Sequence, residues 1–244
     1  MIFNDDWLNN NIVNESIDLI ITDPPHGVNL KHGNFDDSKT FVFAVLHNWI
    51  QEMSRVLKEG SHCYIYAPTL ELDKWIHAVK EYLTFKNVVI APNYGANKYV
   101  SNNFMFDYQP IIFCSNGKAK PFNKVDWIKT SNEWFNDKRN KNPKRYTYQY
   151  PAYLSKDNRA DVKSNATIKL LHKCQKNVNL IDKFILLSSQ ENEIVLDPFA
   201  GSGSTLISAR DLNRNFIGYE IHGESYDIMN KRLKNDYNKR QNYK

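Results

Sequence analysis

No segment of the chain approaches the ~18 consecutive apolar residues that a membrane-spanning helix requires, and no charged-then-apolar leader opens it. A cytosolic protein is expected. Cysteine is scarce, and Cys63, Cys114 and Cys174 are widely spaced, odd in number and unaccompanied by a Cys-x-x-Cys pair or paired histidines. That argues against a disulfide framework or a zinc site and for reduced, structural thiols. His47, His62 and His77 have no partner at metal-ligand spacing and read as ordinary members of helices and strands. The single Gly-x-Gly turn, at Gly201 and Gly203, has no lysine behind it, which excludes a triphosphate-binding loop. What is present, 244 residues of which 41% are hydrophobic, is enough for one good-sized α/β core with a small appended region.

Positive charge is also missing from most of the chain. The net charge is +5, yet residues 118–176 hold 15 basic and 5 acidic side chains, or +10, while the rest holds 17 and 22, or −5. The basic segment lacks a sustained apolar period and interleaves its Lys and Arg with Phe122, Trp127, Trp134, Phe135, Tyr146, Tyr148, Tyr150 and Tyr153. Basic groups suit phosphates and aromatic rings suit bases, so residues 118–169 read as an insert that contacts nucleic acid. An irregular surface region with its own small aromatic core is the other reading.

Residues 16–26 organise the remainder. Ile17, Leu19, Ile20 and Ile21 form a short branched run that reads as a buried parallel strand ending at Thr22. Asp23 and Pro24 each precede a proline and are pushed toward extended geometry, and Pro24 and Pro25 have no N–H. The result is a stiff turn at the carboxyl end of a strand, where clefts of open α/β sheets lie. The exocyclic amine of adenine or cytosine is a poor nucleophile because its lone pair is delocalised. The Asp23 carboxylate and the Pro24 carbonyl could accept its two N–H bonds and favour the attacking form, with His26 stacked on the ring. A turn with no further role fits these four residues as well.

The pattern before and after is alternating. Asp6 sits at the end of a short opening strand, residues 7–13 can make a brief helix, and residues 27–39 read as a loop over the site. The spacing predicts helices over 41–58, stopped by Glu59-Gly60, and over 69–82, with strands over 62–67 and 87–90. Residues 104–115 predict antiparallel strands at one sheet edge, with Asn116-Gly117 as a hairpin turn. After the insert, a helix over 179–188 leads to a strand at 194–196, the glycine turn, a helix through Leu206, Ile207, Ala209 and Leu212, and a strand over 215–220 that ends in Glu220. Gly201 and Gly203 permit close backbone approach at a helix N-terminus, and Glu220 is placed to accept ribose hydroxyls.

Together, Asp23-Pro24-Pro25-His26 and Asp197-Pro198-Phe199-Ala200-Gly201-Ser202-Gly203 give the chain a resemblance to the S-adenosylmethionine-dependent DNA amino-methyltransferases of the N6-adenine/N4-cytosine family. The order, catalytic half first, resembles the permuted β class, whose target-recognition region lies between the halves. The resemblance implies a class I methyltransferase fold, a Rossmann-like, doubly wound, mostly parallel sheet in circularly permuted order. It divides the chain into a catalytic half at 1–117, a target-recognition insert at 118–169 and a cofactor half at 170–244. Asp23, Pro24, Pro25 and His26 are the implied catalytic residues. S-adenosylmethionine would be held by Asp6, Asp197, Phe199, Ala200, Gly201, Ser202, Gly203, Ser204, Thr205 and Glu220. His172, Gln175 and Lys176 match the family's His-Pro-Thr-Gln-Lys stretch, toward the methionine end.

Lys173 and Cys174 depart from that stretch, and His26 departs from the usual Tyr, Phe or Trp; a histidine there stacks with less area and can titrate near working pH. The implied activity is methylation of a flipped-out adenine N6 in double-stranded DNA. Cytosine N4 is the alternative, though Asp at the first tetrapeptide position leans toward adenine because the cytosine enzymes more often carry Ser there; an RNA methyltransferase and a non-catalytic DNA-binding relative are further ones. The resemblance implies a cytoplasmic protein of bacterial or phage origin, and a homodimer and a cognate restriction endonuclease are compatible with it.

Overall fold

The computed structural model describes residues 1–29, 37–92, 108–125, 176 and 178–235. Among them seven strands form one sheet: β1 (Ile2–Phe3), β2 (Ile17–Thr22), β3 (Leu57–Tyr66), β4 (Thr84–Pro92), β5 (Tyr108–Ser115), β6 (Ile194–Asp197) and β7 (Asn215–Tyr219). Their order is β1-β7-β6-β2-β3-β5-β4. Five strands are joined by parallel ladders, and β5 runs antiparallel between β3 and β4. The architecture is the expected doubly wound one, a mostly parallel α/β sheet with helices on both faces.

Side-chain alternation builds both faces. Along β3 and β5, Cys63, Ile65, Ile112 and Cys114 point to one side and Tyr64, Tyr66, Ile111 and Phe113 to the other. The first side is covered by α1 (Lys39–Val56), which buries Val42, Leu46, Trp49, Ile50, Met53 and Val56, and by α2 (Leu72–Tyr82), which buries Trp75, Ala78 and Val79. The second carries α3 (Val178–Ser188) and α4 (Ser204–Asp211), with α5 (Gly223–Asn235) packed beside α4 through Met229. No helix of the described residues is long and apolar enough to cross a membrane. Cys63 and Cys114 are buried free thiols facing each other across β3 and β5, and Cys174 lies outside the described residues.

Three local expectations change. Helix α1 passes into β3 with no loop, because Leu57 is already extended; Glu59-Gly60 lies inside the strand. Gly60, at φ +75°, stands where the β2–β3 register slips between the pairs Ile17–Leu57 and Leu19–His62, so the glycine serves a bulge and not a helix stop. The brief helix after Asp6 is a single 3-10 turn, Trp7–Asn9. Asn116-Gly117 does turn the chain, but no strand follows it among the described residues 118–125; Asn116 exchanges backbone hydrogen bonds with Gly60 and Ser61, and the antiparallel partners of β5 are β3 and β4.

Residues 118–125, the described start of the segment read as the insert, lie against the sheet. The Lys120 carbonyl accepts from His62 Nε2 at 2.9 Å, and Phe122 stacks on Phe113 with centroids 5.4 Å apart. His62 Nδ1 accepts from the Ser188 hydroxyl at 2.8 Å, and burial pushes the His62 pKa down to about 4, so this ring is a neutral core member. Residues 126–169, with most of the basic and aromatic side chains, lie outside the described residues.

Phe184 of α3 stacks on Tyr64 of β3 at 4.1 Å and is 1% exposed. Phe184→Ala is expected to lower the unfolding free energy by about 3–5 kcal/mol, measured by urea denaturation. A loss below about 1 kcal/mol would mean that α3 is not packed on the sheet through this ring.

Candidate functional site

Strands β6 and β2 are parallel neighbours from which the chain proceeds in opposite directions along the sheet, to β7 on one side and β3 on the other. A crevice opens at the carboxyl ends of such a strand pair. Here it is a cleft of about 530 Å³, within the usual range for small-molecule sites. Asp6, Asp23, Pro24, Pro25, His26, Lys176, Asp197, Phe199, Ala200, Gly201, Ser202, Ser204, Thr205 and Glu220 all line it. Gly203 does not, and His172 and Gln175 lie outside the described residues.

On the β6 side the chain turns through residues 198–203 into α4, with Gly201 at φ +53° and Gly203 at φ +84°. A Cβ on Gly203 would stand 2.7 Å from Met229 Cγ, so this glycine is needed for packing; a Cβ on Gly201 would meet nothing within 4 Å and would project into open space. The Gly201 N–H donates to Glu220 Oε2 at 2.8 Å and the His222 N–H donates to Oε1 at 2.7 Å. These bonds fix the Glu220 carboxylate and leave each oxygen a second acceptor site. Burial pushes its pKa up and the two N–H groups oppose that shift. Asp6 accepts the Leu8 N–H at 2.9 Å, capping the 3-10 turn that carries it into the cleft.

Asp197 is 4% exposed and joins the two halves. Thr22 donates its hydroxyl to Asp197 Oδ1 at 2.8 Å, and the Phe199 N–H donates to the same oxygen at 3.1 Å. Burial pushes the Asp197 pKa up to about 7, against the hydroxyls of Thr205 and Thr22 and the Phe199 N–H, which favour the anion.

On the β2 side, Lys176 Nζ lies 2.8 Å from Asp23 Oδ2. Asp23 Oδ1 is buried and has no hydrogen-bond donor among the described residues. His26 donates Nε2–H to the Tyr66 carbonyl at 3.2 Å; the same nitrogen is 3.4 Å from Asp23 Oδ1, too poorly directed to be a hydrogen bond. The His26 ring meets Trp75 edge-on, with centroids 6.1 Å apart. Burial lowers the His26 pKa despite the nearby Asp23 carboxylate, so the ring is neutral at physiological pH. Removal from water outweighs the attraction of one carboxylate.

Several contributors carry no signal in the sequence. Asp37, across residues 30–36, accepts the Gly27 N–H at 2.8 Å and the Val28 N–H at 3.2 Å, fixing the exit from the tetrapeptide. Arg232 of α5, 5% exposed, donates to the Ser202 carbonyl at 2.7 Å and to its hydroxyl at 3.0 Å, supporting the glycine turn from behind. Each belongs to a stretch whose pattern reads as plain loop or plain helix. Among the described residues, no group of three or more His, Cys, Asp or Glu side chains is arranged to hold a metal ion.

Comparison with known proteins decides the family, because the DNA methylase family of N6/N4 methyltransferases matches residues 17–231. The chain belongs to that family. It is 29% identical over 241 residues to the Type II methyltransferase M.HpaI of Haemophilus parainfluenzae, covering 93% of this chain and 71% of that protein. Of two further relatives it covers 54% and 90%. Among solved structures, the M1.HpyAVI–SAM complex superposes with a TM-score of 0.67 at 24% identity, over 96% of this chain and 98% of the other. The cytosine-N4-specific PvuII DNA methyltransferase does so with a TM-score of 0.61 at 16% identity, over 96% and 92%.

The family's methyl donor is S-adenosylmethionine, and the cleft of this DNA methylase family member fits it: open space stands over Gly201 and a fixed carboxylate stands at Glu220. The two glycines are expected to separate experimentally. Both Gly→Ala changes carry about 1–2 kcal/mol of left-handed backbone strain. Gly203→Ala is expected to lose more unfolding stability, through Met229, whereas Gly201→Ala is expected to lose more S-adenosylmethionine affinity in calorimetric titration. The reverse order would place the ligand on the other side of the turn.

Proposed function

We propose that this DNA methyltransferase transfers the methyl group of S-adenosylmethionine to the N6 amine of an adenine extruded from double-stranded DNA. The observation that carries the reading is the bare Asp23 Oδ1 at the end of β2, one residue beyond the Thr22–Asp197 bond that ties it to the cofactor loop. A buried carboxylate oxygen without a donor is costly, and an amine N–H arriving from the cleft would satisfy it.

The bound cofactor supplies an electrophilic methyl group on a sulfonium. Asp23 Oδ1 and the Pro24 carbonyl accept the two N–H bonds of the amine and turn its lone pair toward that methyl, so the contribution of the chain is orientation and charge. The Asp23 carboxylate also stabilises the positive charge that the nitrogen gains on methylation. His26, pinned to the Tyr66 carbonyl, presents a neutral ring beside the base. Glu220 would hold the ribose hydroxyls, Asp6 would lie nearer the adenine of the cofactor, and Phe199, Ala200, Ser202, Ser204 and Thr205 would line it along the turn. The base must leave the helix, because its amine is out of reach inside the duplex. Residues 126–169, which hold most of the insert's basic and aromatic side chains, bind the flanking DNA.

Adenine is favoured over cytosine by Asp, where the cytosine-N4 enzymes more often carry Ser. The similarity to M.HpaI, a Type II methyltransferase, supports a role in restriction-modification, with a companion endonuclease and a cytoplasmic setting in a bacterium or a phage-infected cell. The test is to incubate the full chain with methyl-labelled S-adenosylmethionine and unmethylated duplex DNA, then digest to nucleosides. Label in N6-methyldeoxyadenosine is expected. Label in N4-methyldeoxycytidine overturns the base assignment, and DNA left unlabelled in a parallel reaction where added RNA takes the label overturns the substrate.

A further inference from the structure

Lys176 stands two residues ahead of α3, and its ammonium meets three partners from three other parts of the sheet. It lies 2.8 Å from Asp23 Oδ2 beyond β2, donates to Gln109 Oε1 of β5 at 3.1 Å, and sits 5.0 Å from the ring centre of Tyr66 at the end of β3. We propose that Lys176 is a positioning residue for Asp23 and not a ligand of the cofactor. The proposal rests on the methyltransferase reading and assigns a further residue to that same site.

An ammonium has three N–H donors, and here a carboxylate oxygen, an amide oxygen and an aromatic face take one direction each. A contact to a cofactor carboxylate would have to give up one of them. Engagement of Oδ2 fixes the rotation of the Asp23 carboxylate, whose other oxygen, Oδ1, is buried and without a donor among the described residues. Tyr66 links the same lysine to the other end of the tetrapeptide, since its carbonyl receives the His26 Nε2–H. Asp23 and His26 are thereby held from β3 and β5 as well as by their own backbone.

The benefit is geometric. As the methyl arrives, the amine nitrogen gains positive charge, and an ammonium beyond Asp23 opposes that charge; Lys176 therefore raises the rate only by holding Asp23 in the attacking arrangement. An arginine can keep the charge and the bond to Oδ2, and a methionine can keep most of the packing while losing both.

The experiment uses full-length wild type, Lys176→Met and Lys176→Arg, with S-adenosylmethionine affinity measured by calorimetry without DNA and single-turnover methyl transfer at saturating cofactor and DNA. Lys176→Met is expected to lose about tenfold or more in single-turnover rate with cofactor Kd changed by less than about threefold, and Lys176→Arg to recover most of the rate. A cofactor Kd weakened by about tenfold or more in Lys176→Met overturns the proposal whatever the rate, and so does an unchanged rate. A wild type that methylates no DNA counts against the proposed function alone. The pair is then read from urea midpoints of Lys176→Met, Asp23→Asn and the double variant: a double shift smaller than the sum upholds it, and additivity overturns it.

Discussion

The Thr22 hydroxyl donates to Asp197 across the two central strands, and the geometry of the cleft is registered to that bond. β2 and β6 are paired in parallel through Leu19–Val195 and Ile20–Leu196, so their carboxyl ends emerge on the same edge of the sheet. The Asp-Pro-Pro-His turn begins one residue past Thr22, and the glycine turn begins one residue past Asp197. Two segments some 170 positions apart in sequence are therefore brought into one crevice by a ladder of backbone hydrogen bonds and one buried hydroxyl. Which half comes first in the chain is immaterial to that arrangement, because a parallel sheet orients every strand end alike.

Three of the carboxylates that line the crevice are each held in a different way. Asp23 is paired with a lysine on one oxygen, Asp197 is buried against hydroxyls and an N–H with its pKa pushed up to about 7, and Glu220 is fixed by two backbone N–H groups. The Coulombic influence of Asp23 adds to the upward push on Asp197. Under the proposed function it is Asp23, the one with a lysine counter-charge, that meets the incoming amine.

Much of this was legible in the chain. The branched run ending in Thr22 and the paired prolines marked the end of β2, and the strand, glycine turn, helix and acidic strand end marked the cofactor half. Both signals are local: one comes from dihedral restriction, the other from glycine freedom at the head of a helix. The rest depends on tertiary contact. Gly60 looks like a helix stop until β2 is laid beside β3 and the register slips, and Asn116-Gly117 looks like a hairpin until β5 is seen to pair with β3 and β4, both earlier in the chain. Lys176 matched a cofactor-binding stretch by position, yet its ammonium crosses to Asp23, a contact set by the fold of three strands around it. Arg232 and Asp37 act through backbone groups far from them in sequence, which no periodicity records.

The central claim is a division of labour, with Asp23 serving the amine and the β6–β7 side serving the cofactor. Asp23→Ala measures it most directly, through S-adenosylmethionine affinity and single-turnover methyl transfer on the same preparation. The account predicts a loss of transfer of about 10²–10³-fold or more with cofactor affinity within about threefold of wild type. Loss of cofactor binding in that variant, or transfer that survives it, would contradict the account.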